Sequence, residues 1–275
     1  MVLVKFCRST VAILNNCYYN NIMNTFKHSG AAGDLIYGLA VMKTLGGGEL
    51  KLHLNQMDWI GQHYYGSKPD PYHQGRLTQK DFEYMRSFME AQTYISKFSI
   101  LDPATDEVTH NLDRFRTPFA SNPGNYIDVY CHVMGIHGDE IRADIRNNAW
   151  LTVPEPTIIE PVVINRTARW RANPPPKEWT GMRDHFKGWA VFVGHESEYQ
   201  DFKKTFDWDL PFYPTSTQLE LASVIAGANQ FIGNQSQALA LALGLGKDVC
   251  CEIRRDLPKE RNECYFPAHP TAQWF

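Results

Sequence analysis

The residues best placed to do chemistry stand in two turns near opposite ends of the chain. In the first, Lys27-His28-Ser29-Gly30-Ala31-Ala32-Gly33-Asp34-Leu35-Ile36-Tyr37 puts two glycines and an acid where a strand gives way to a helix. Glycine lets another molecule approach the backbone there, and Asp34 sits at the helix start, aimed at whatever occupies the space above it. In the second, Phe231-Ile232-Gly233-Asn234-Gln235-Ser236 repeats the arrangement, and its amides together with the Ser236 hydroxyl offer a seat for phosphate. Two such turns predict two nucleotide-fold halves facing one cleft. An acid on one side and a phosphate seat on the other suit a transferase that uses a nucleotide-activated donor. Both Asp34 and Ser236 are also good helix caps, and for Ser236 capping and anion binding are compatible.

Other candidates follow apolar strands of the second half. Asn165-Arg166 and Arg169-Trp170-Arg171 come directly after Val162-Val163-Ile164, at the carboxyl edge of a sheet, where open α/β folds bind ligands. Arginine there can hold phosphate oxygens in a bidentate fork; a solvated basic loop is the alternative. Gly194-His195 after Ala190 to Val193 would meet donor base or ribose, or Glu196 and Ser197 would simply cap a helix. Glu252, at the end of the Val249 strand, would accept from ribose hydroxyls or form a salt bridge with Arg254 or Arg255.

Several chemistries lose support. There is no complete G-x-G-x-x-G, no G-x-x-x-x-G-K-[ST], no G-x-S-x-G and no paired-cysteine motif, which counts against hydride transfer on NAD, P-loop hydrolysis, serine hydrolysis and thiol redox work. Asp207-Trp208-Asp209 has a metal-motif look but sits in a loop before Leu210-Pro211 and reads as surface. His132 and His137 are spaced i, i+5, which does not put two ligands on one helix face, so no metal site and no cofactor beyond a donor substrate are expected.

The elements that must position these residues alternate along the chain. Asn24 to Leu54 reads as strand, helix and strand, with Gly46-Gly47-Gly48 ending the helix. Asn55 to Gln79 lacks periodicity and reads as a loop, a place for acceptor contacts through Tyr64 and Tyr65 beside His28, Ser29 and Gly33. Helices are expected over Gln79 to Ile95, Tyr126 to Ile136, Leu219 to Ala228 and Ser236 to Leu245. Strands are expected at Phe98 to Leu101, Val162 to Ile164, Ala190 to Val193, Gln230 to Ile232 and Asp248 to Ile253. Pro154-Glu155-Pro156 interrupts regular structure, dividing a first domain, 24–153, from a second, 154–275, with 1–23 as an amino-terminal extension whose order the pattern does not specify. The 275 residues suffice for two cores.

Composition is that of a soluble globular protein. With 27 basic and 30 acidic residues the formal charge is −3, which does not announce a nucleic-acid binder. The longest apolar run, Ala238 to Leu245, falls short of the roughly 20 residues that span a bilayer. Cys7, Cys17, Cys131, Cys250, Cys251 and Cys264 are scattered and read as free thiols in a reducing, cytoplasmic setting. The segment before Asn24 lacks a small-residue cleavage site, and Met23 is a candidate start.

The chain resembles GT-B glycosyltransferases, in particular the ADP-heptose:lipopolysaccharide heptosyltransferase-like group and its compact phage and bacterial relatives. The resemblance is carried by His28-Ser29-Gly30 with Gly33-Asp34-Leu35-Ile36-Tyr37, by Ile164 to Arg169, by Phe192-Val193-Gly194 with Glu198, and by Leu219 to Ala228 followed by Phe231 to Ser236. It spans roughly residues 24 to 266, and it implies two Rossmann-like domains with parallel sheets facing a central cleft. It further implies an acceptor on the first half, a nucleotide-sugar on the second, no obligatory metal, Asp34 as base and a pyrophosphate turn at Gly233 to Ser236. Where the group has an acid in that turn and a histidine in the following helix, this chain has Gln235 and Gln-Ala-Leu-Ala, so an ADP-heptose donor does not follow.

The expectation is therefore an inverting, metal-independent glycosyltransferase. Its acceptor would be a saccharide or a hydroxymethylated base in phage DNA, the latter with Lys68, Arg114 and Arg116 on phosphates. A sugar-nucleotide epimerase of similar fold and a non-catalytic sugar-nucleotide-binding protein are the alternatives. Oligomeric state is not legible.

Overall fold

The computed structural model of the chain describes residues 23–56, 77–116, 125–168, 170–254 and 272–275. The first half runs β1 (Thr25–His28), α1 (Ala32–Thr44), β2 (Gly48–Leu52), α2 (Gln79–Glu90), β3 (Ile95–Ile100), β4 (His110–Asn111), a 3-10 helix (Leu112–Arg116), α3 (Tyr126–Val133) and α4 (Asp139–Asn147). The second runs β5 (Val162–Asn165), α5 (Glu178–His185), β6 (Ala190–Gly194), α6 (Glu196–Phe206), β7 (Phe212–Pro214), α7 (Gln218–Gly227), β8 (Gln230–Asn234), α8 (Gln237–Gly244), β9 (Asp248–Glu252) and β10 (Ala272–Trp274).

Two sheets result, of order β3-β2-β1-β4 and β10-β9-β8-β5-β6-β7, with every strand pair parallel. This is the mixed α/β architecture that the alternation predicts. In each sheet the strand order reverses once, at β1/β4 and at β5/β8. Such switch points open a crevice beyond the carboxyl ends of the strands, and both glycine turns issue from one.

The strands of the second sheet read as continuous apolar runs because both faces are covered. Val163, Val191, Phe231 and Val249 face one apolar core, while Val162, Ile164, Phe192 and Ile232 face another built on Trp179, Phe202 and Trp208. The first sheet is different. Phe26, Leu50 and Phe98 line up across β1, β2 and β3 and enter the core, whereas Lys51, Glu49, Lys97 and Ser99 share the opposite face in a charged lattice. There Lys51 donates to Asp106 at 2.5 Å and Lys97 pairs with Glu49 at 2.9 Å. The alternation expected of Glu49 to Leu54 reflects one apolar and one charged face, with Glu49 and Lys51 of the latter also buried.

Several elements lie outside the expectations. Helices α4 and α5 each bury one residue, Ile145 and Trp179, and α6 buries only Tyr199 and Phe202, too few for an apolar stripe to show. Strands β4, β7 and β10 are two or three residues long. No described helix is long and apolar enough to cross a membrane.

The two halves are joined through a shared core. Helix α1 is buried from Leu35 to Met42 and packs on α8, itself buried from Ala238 to Gly244, while α2 packs on α7. Trp150, ahead of the proline pair, ties the chain to both partners of the first contact. Its indole N–H donates to the Ile36 carbonyl of α1 at 3.0 Å, and the Gly244 carbonyl of α8 accepts the amides of Trp150 and Leu151 at 2.9 Å. Replacing Trp150 by Ala, which empties a fully packed site between the halves, is expected to cost about 3–5 kcal/mol of unfolding free energy, read by urea denaturation. A loss below about 1 kcal/mol would mean that the halves are stable without this tie.

Candidate functional site

The first wall of the site begins where β1 ends. Gly30 takes φ 90°, a conformation that a side chain disfavours, and turns the chain into α1. Ala31 caps that helix without any side-chain hydrogen bond, and the first turn, Ala32, Gly33 and Asp34, faces the space above. Asp34 is the third helical residue and its side chain remains 22% exposed.

Beneath this turn is a buried polar cluster. The Ser29 amide donates to Asp113 Oδ1 at 2.9 Å, and the Ser29 carbonyl accepts from Arg116 Nη2 at 2.9 Å. Arg116 Nη1 donates to the same Asp113 oxygen at 2.5 Å, and Nη2 lies 3.5 Å from Asp34 Oδ2. His28, fully buried, sits with Nδ1 3.7 Å from Asp113 and stacks at 6.3 Å on Phe115. Burial holds its pKa down to about 4, outweighing the attraction of Asp113.

The second wall is made by the ends of β5 and β8. Asn234, fully buried, accepts the Thr167 amide at 2.9 Å and returns its own Nδ2 to the Thr167 carbonyl at 3.2 Å, which pins the 166–168 loop to the glycine turn. A Cβ at Gly233 would fall 2.3 Å from the Asn165 carbonyl oxygen, so only glycine lets the strands come this close. Ser236 caps α8, its hydroxyl accepting the Leu239 amide at 3.3 Å.

Between the walls lies a cavity of about 500 Å³. It is lined by Gly30 to Asp34 and Tyr37 from the first half and by Thr167, Ala168, Trp170, Gln235, Ser236 and Gln237 from the second. The amino ends of α1 and α8 therefore open onto one space, and a Cβ at Gly33 would lie 3.6 Å from the Gln237 Cα. Two converging helix amino ends favour anions. Three carboxylates, of Asp34, Asp81 and Glu198, share the lining. Burial pushes the Glu198 carboxyl up, while the His195 amide at 3.3 Å and Asn165 Nδ2 at 3.4 Å hold its charged form.

Of the expected residues, Asp34, Gly33, Gln235 and Ser236 meet at the cavity, with Asn165, Gly233 and Asn234 as framework around the loop that forms its wall. Gly194 is buried at the end of β6 and His195 is exposed as the N-cap of α6; neither lines the cavity. Arg169, Tyr64, Tyr65 and Lys68 lie outside the described residues. Asp207 and Asp209 are exposed, with Asp209 engaged by Tyr199 at 2.7 Å and by Lys203 at 2.8 Å, but Trp208 between them is buried in the second core, against the expectation of a surface segment.

Four expectations are corrected. Arg166 and Glu252 bind each other rather than a ligand: Nε donates to Oε2 at 2.5 Å and Nη2 to Oε1 at 2.9 Å, with the Arg166 side chain 1% exposed and Glu252 fully buried. Glu252 also accepts from the Ala172 amide at 2.7 Å and the Trp179 indole at 2.8 Å, so its oxygens are occupied by Arg166 and these groups; Arg255 lies outside the described residues. His28 and Ser29 are fully buried and hold the turn from below instead of meeting an acceptor. Arg116 is likewise buried and engaged with Asp113, which removes it from any phosphate-contacting surface; Arg114 is exposed. Asp81, Tyr37, Thr167 and Gln237 were not expected at the site.

The sequence matches no protein-family model and no curated protein. In shape it is similar to the glycosyl transferase family 9 protein from Veillonella parvula DSM 2008, with a TM-score of 0.59 at 11% identity over 91% of this chain and 84% of that one. It is also similar to the iron-containing dodecameric glycosyltransferase TibC from enterotoxigenic E. coli H10407, with a TM-score of 0.51 at 14% identity over 90% of this chain. The chain spans 61% of the length of TibC. TibC in complex with ADP-D-beta-D-heptose aligns with a TM-score of 0.50 at 13% identity. At these identities the likeness shows the fold, a GT-B-like pair of parallel sheets.

Two expectations follow from the buried groups. His28 titrates near 6.5 when unfolded but at about 4 when folded, so the unfolded chain binds more protons between those values and stability falls as pH drops through that window. The loss attributable to His28 is about 3 kcal/mol, and the stability gap between wild type and His28→Asn should narrow by most of it between pH 7 and pH ~4.5 in urea melts. Glu252→Gln should cost about 3–5 kcal/mol by stranding the Arg166 charge, and adding Arg166→Met should recover much of that loss. A Glu252→Gln protein as stable as wild type would return Glu252 to the pool of ligand contacts.

Proposed function

We propose that the chain transfers a sugar from a nucleotide-sugar to an acceptor hydroxyl, with Asp34 as the base. The observation that carries this reading is the meeting of a partly exposed carboxylate at one helix start with a second helix start, both opening onto one 500 Å³ cavity at the switch points of two parallel sheets. The volume is in the range of small-ligand sites, and the neighbours in shape are glycosyltransferases.

In this reading the nucleotide diphosphate rests on the Gln237 and Ala238 amides and the dipole of α8, with Arg169 standing in the sequence between the lining residues Ala168 and Trp170. An alcohol is a weak nucleophile and a bare diphosphate a poor leaving group, so base and electrostatic clamp address the two halves of the barrier. Asp34 takes the hydroxyl proton as the oxygen attacks the anomeric carbon, and the bond to the diphosphate breaks on the opposite face, which inverts the centre. Charge stabilisation by amides makes a metal dispensable. Asp34, Asp81 and Glu198 on the lining favour an uncharged saccharide hydroxyl over the backbone of phage DNA as the group that enters.

A thermal-shift screen of nucleotide-sugars should give a stabilised complex with one nucleotide class, since ligand bound only by the folded state raises its stability. Asp34→Asn should keep that shift and lose turnover by about 10²- to 10⁴-fold. Wild-type turnover in the variant would remove Asp34 from the reaction. Salt-sensitive binding to duplex DNA would restore the nucleic-acid acceptor.

A further inference from the structure

We propose that Arg116 is the positioning residue of the Asp34 base, its guanidinium held rigid from below by Asp113 and the Ser29 carbonyl so that it fixes the carboxylate through Oδ2. This rests on the glycosyl-transfer reading above and adds a residue to it. The 3-10 helix that carries Arg116 comes 82 residues after Asp34, yet places the two side chains 3.5 Å apart.

The guanidinium has little freedom. Nη1 is committed to Asp113 Oδ1 at 2.5 Å, Nη2 to the Ser29 carbonyl at 2.9 Å, and the planar group lies over the Phe115 ring at 4.5 Å. Burial would pull its pKa down, and the charges of Asp34 and Asp113 hold it above its ordinary value, so it stays a cation. Asp113 is fully buried, and the neighbouring His28 is neutral at physiological pH. The positive charge behind Asp34 is therefore permanent, shared between two carboxylates, and aimed at Oδ2. From the other side, the Tyr130 hydroxyl donates to the Asp34 carbonyl at 2.9 Å and fixes the backbone that bears the base. Misplacement of a reacting carboxylate by an ångström can cost about 10²-fold in rate.

The test measures release of nucleoside diphosphate from UDP-glucose, ADP-glucose and GDP-mannose with water as acceptor. The water proton passes to Asp34, its oxygen bonds to the anomeric carbon, and the carbon–oxygen bond to the diphosphate breaks. With the sugar nucleotide that wild type turns over, Arg116→Gln should lower kcat by about 10²-fold while KM for the donor stays within about twofold. In the Asp34→Asn background the same change should lower kcat no further, because Arg116 reaches the reacting atoms through the Asp34 carboxylate, while its bonds to Asp113 and Ser29 hold the guanidinium. Arg116→Lys, which keeps the charge and loses the fork, takes the place of the glutamine variant should that one not fold. An additional loss in the Asp34→Asn background, a KM effect larger than the kcat effect, or failure of both Arg116 variants to fold would overturn the proposal in favour of a structural role. If Asp34→Asn abolishes turnover and Arg116→Gln does not, the positioning role falls and the base stands. If Asp34→Asn is fully active, or wild type releases diphosphate from none of the three, the glycosyl-transfer reading falls and takes this one with it.

Discussion

Helices α1 and α8 lie against each other with their amino ends side by side, and the geometry of the cavity descends from that contact. Small residues make it feasible: Ala40 on one helix and Ala238, Ala240 and Ala242 on the other are buried in the common core. Each helix starts at the switch point of its own sheet, so bringing the helices together brings two crevices together. Neither sheet alone would enclose much space. The aligned dipoles then give the cavity an electropositive end made of backbone, which no rotamer change can remove.

Charged side chains divide between two duties around this frame. Arg166 and Glu252 pair through two hydrogen bonds below the second sheet's edge, with Phe206 stacked on the guanidinium at 4.9 Å, and their removal from water makes them depend on one another. Asp113 and Arg116 do the same below the first turn, but Arg116 also reaches a carboxylate that looks out into the cavity. The difference is one of exposure: Asp34 keeps contact with solvent, and Glu252 has none. Carboxylates at the lining together with amides at the helix starts give a site that is acidic at its sides and electropositive at its floor.

Much of the frame was legible because burial on two faces leaves a strong trace. Val162 to Ile164, Ala190 to Val193 and Asp248 to Ile253 stand out as apolar runs, and the glycine turns that follow β1 and β8 mark where the cavity lies. Asp34 and Ser236 could be named from those turns alone. Arg166 could not be assigned correctly, since its fate depends on Glu252, 86 positions away, on a strand two places along the sheet. The pairing of Asp113 with Arg116 left no signal either, because a short 3-10 helix has no apolar periodicity to announce it. Helices such as α4 and α6, which bury one or two side chains, look like loops to any argument from pattern.

The link through Trp150 bears on how such a site can admit and release its contents. A hinge-bending motion about Pro154 and Pro156 would have to pull the amides of Trp150 and Leu151 from Gly244, and would open the core between α1 and α8 to water. Domain closure of the kind that gates many two-lobed enzymes is thereby disfavoured. An opening of the cavity that keeps the α1–α8 core intact costs less than one that breaks it.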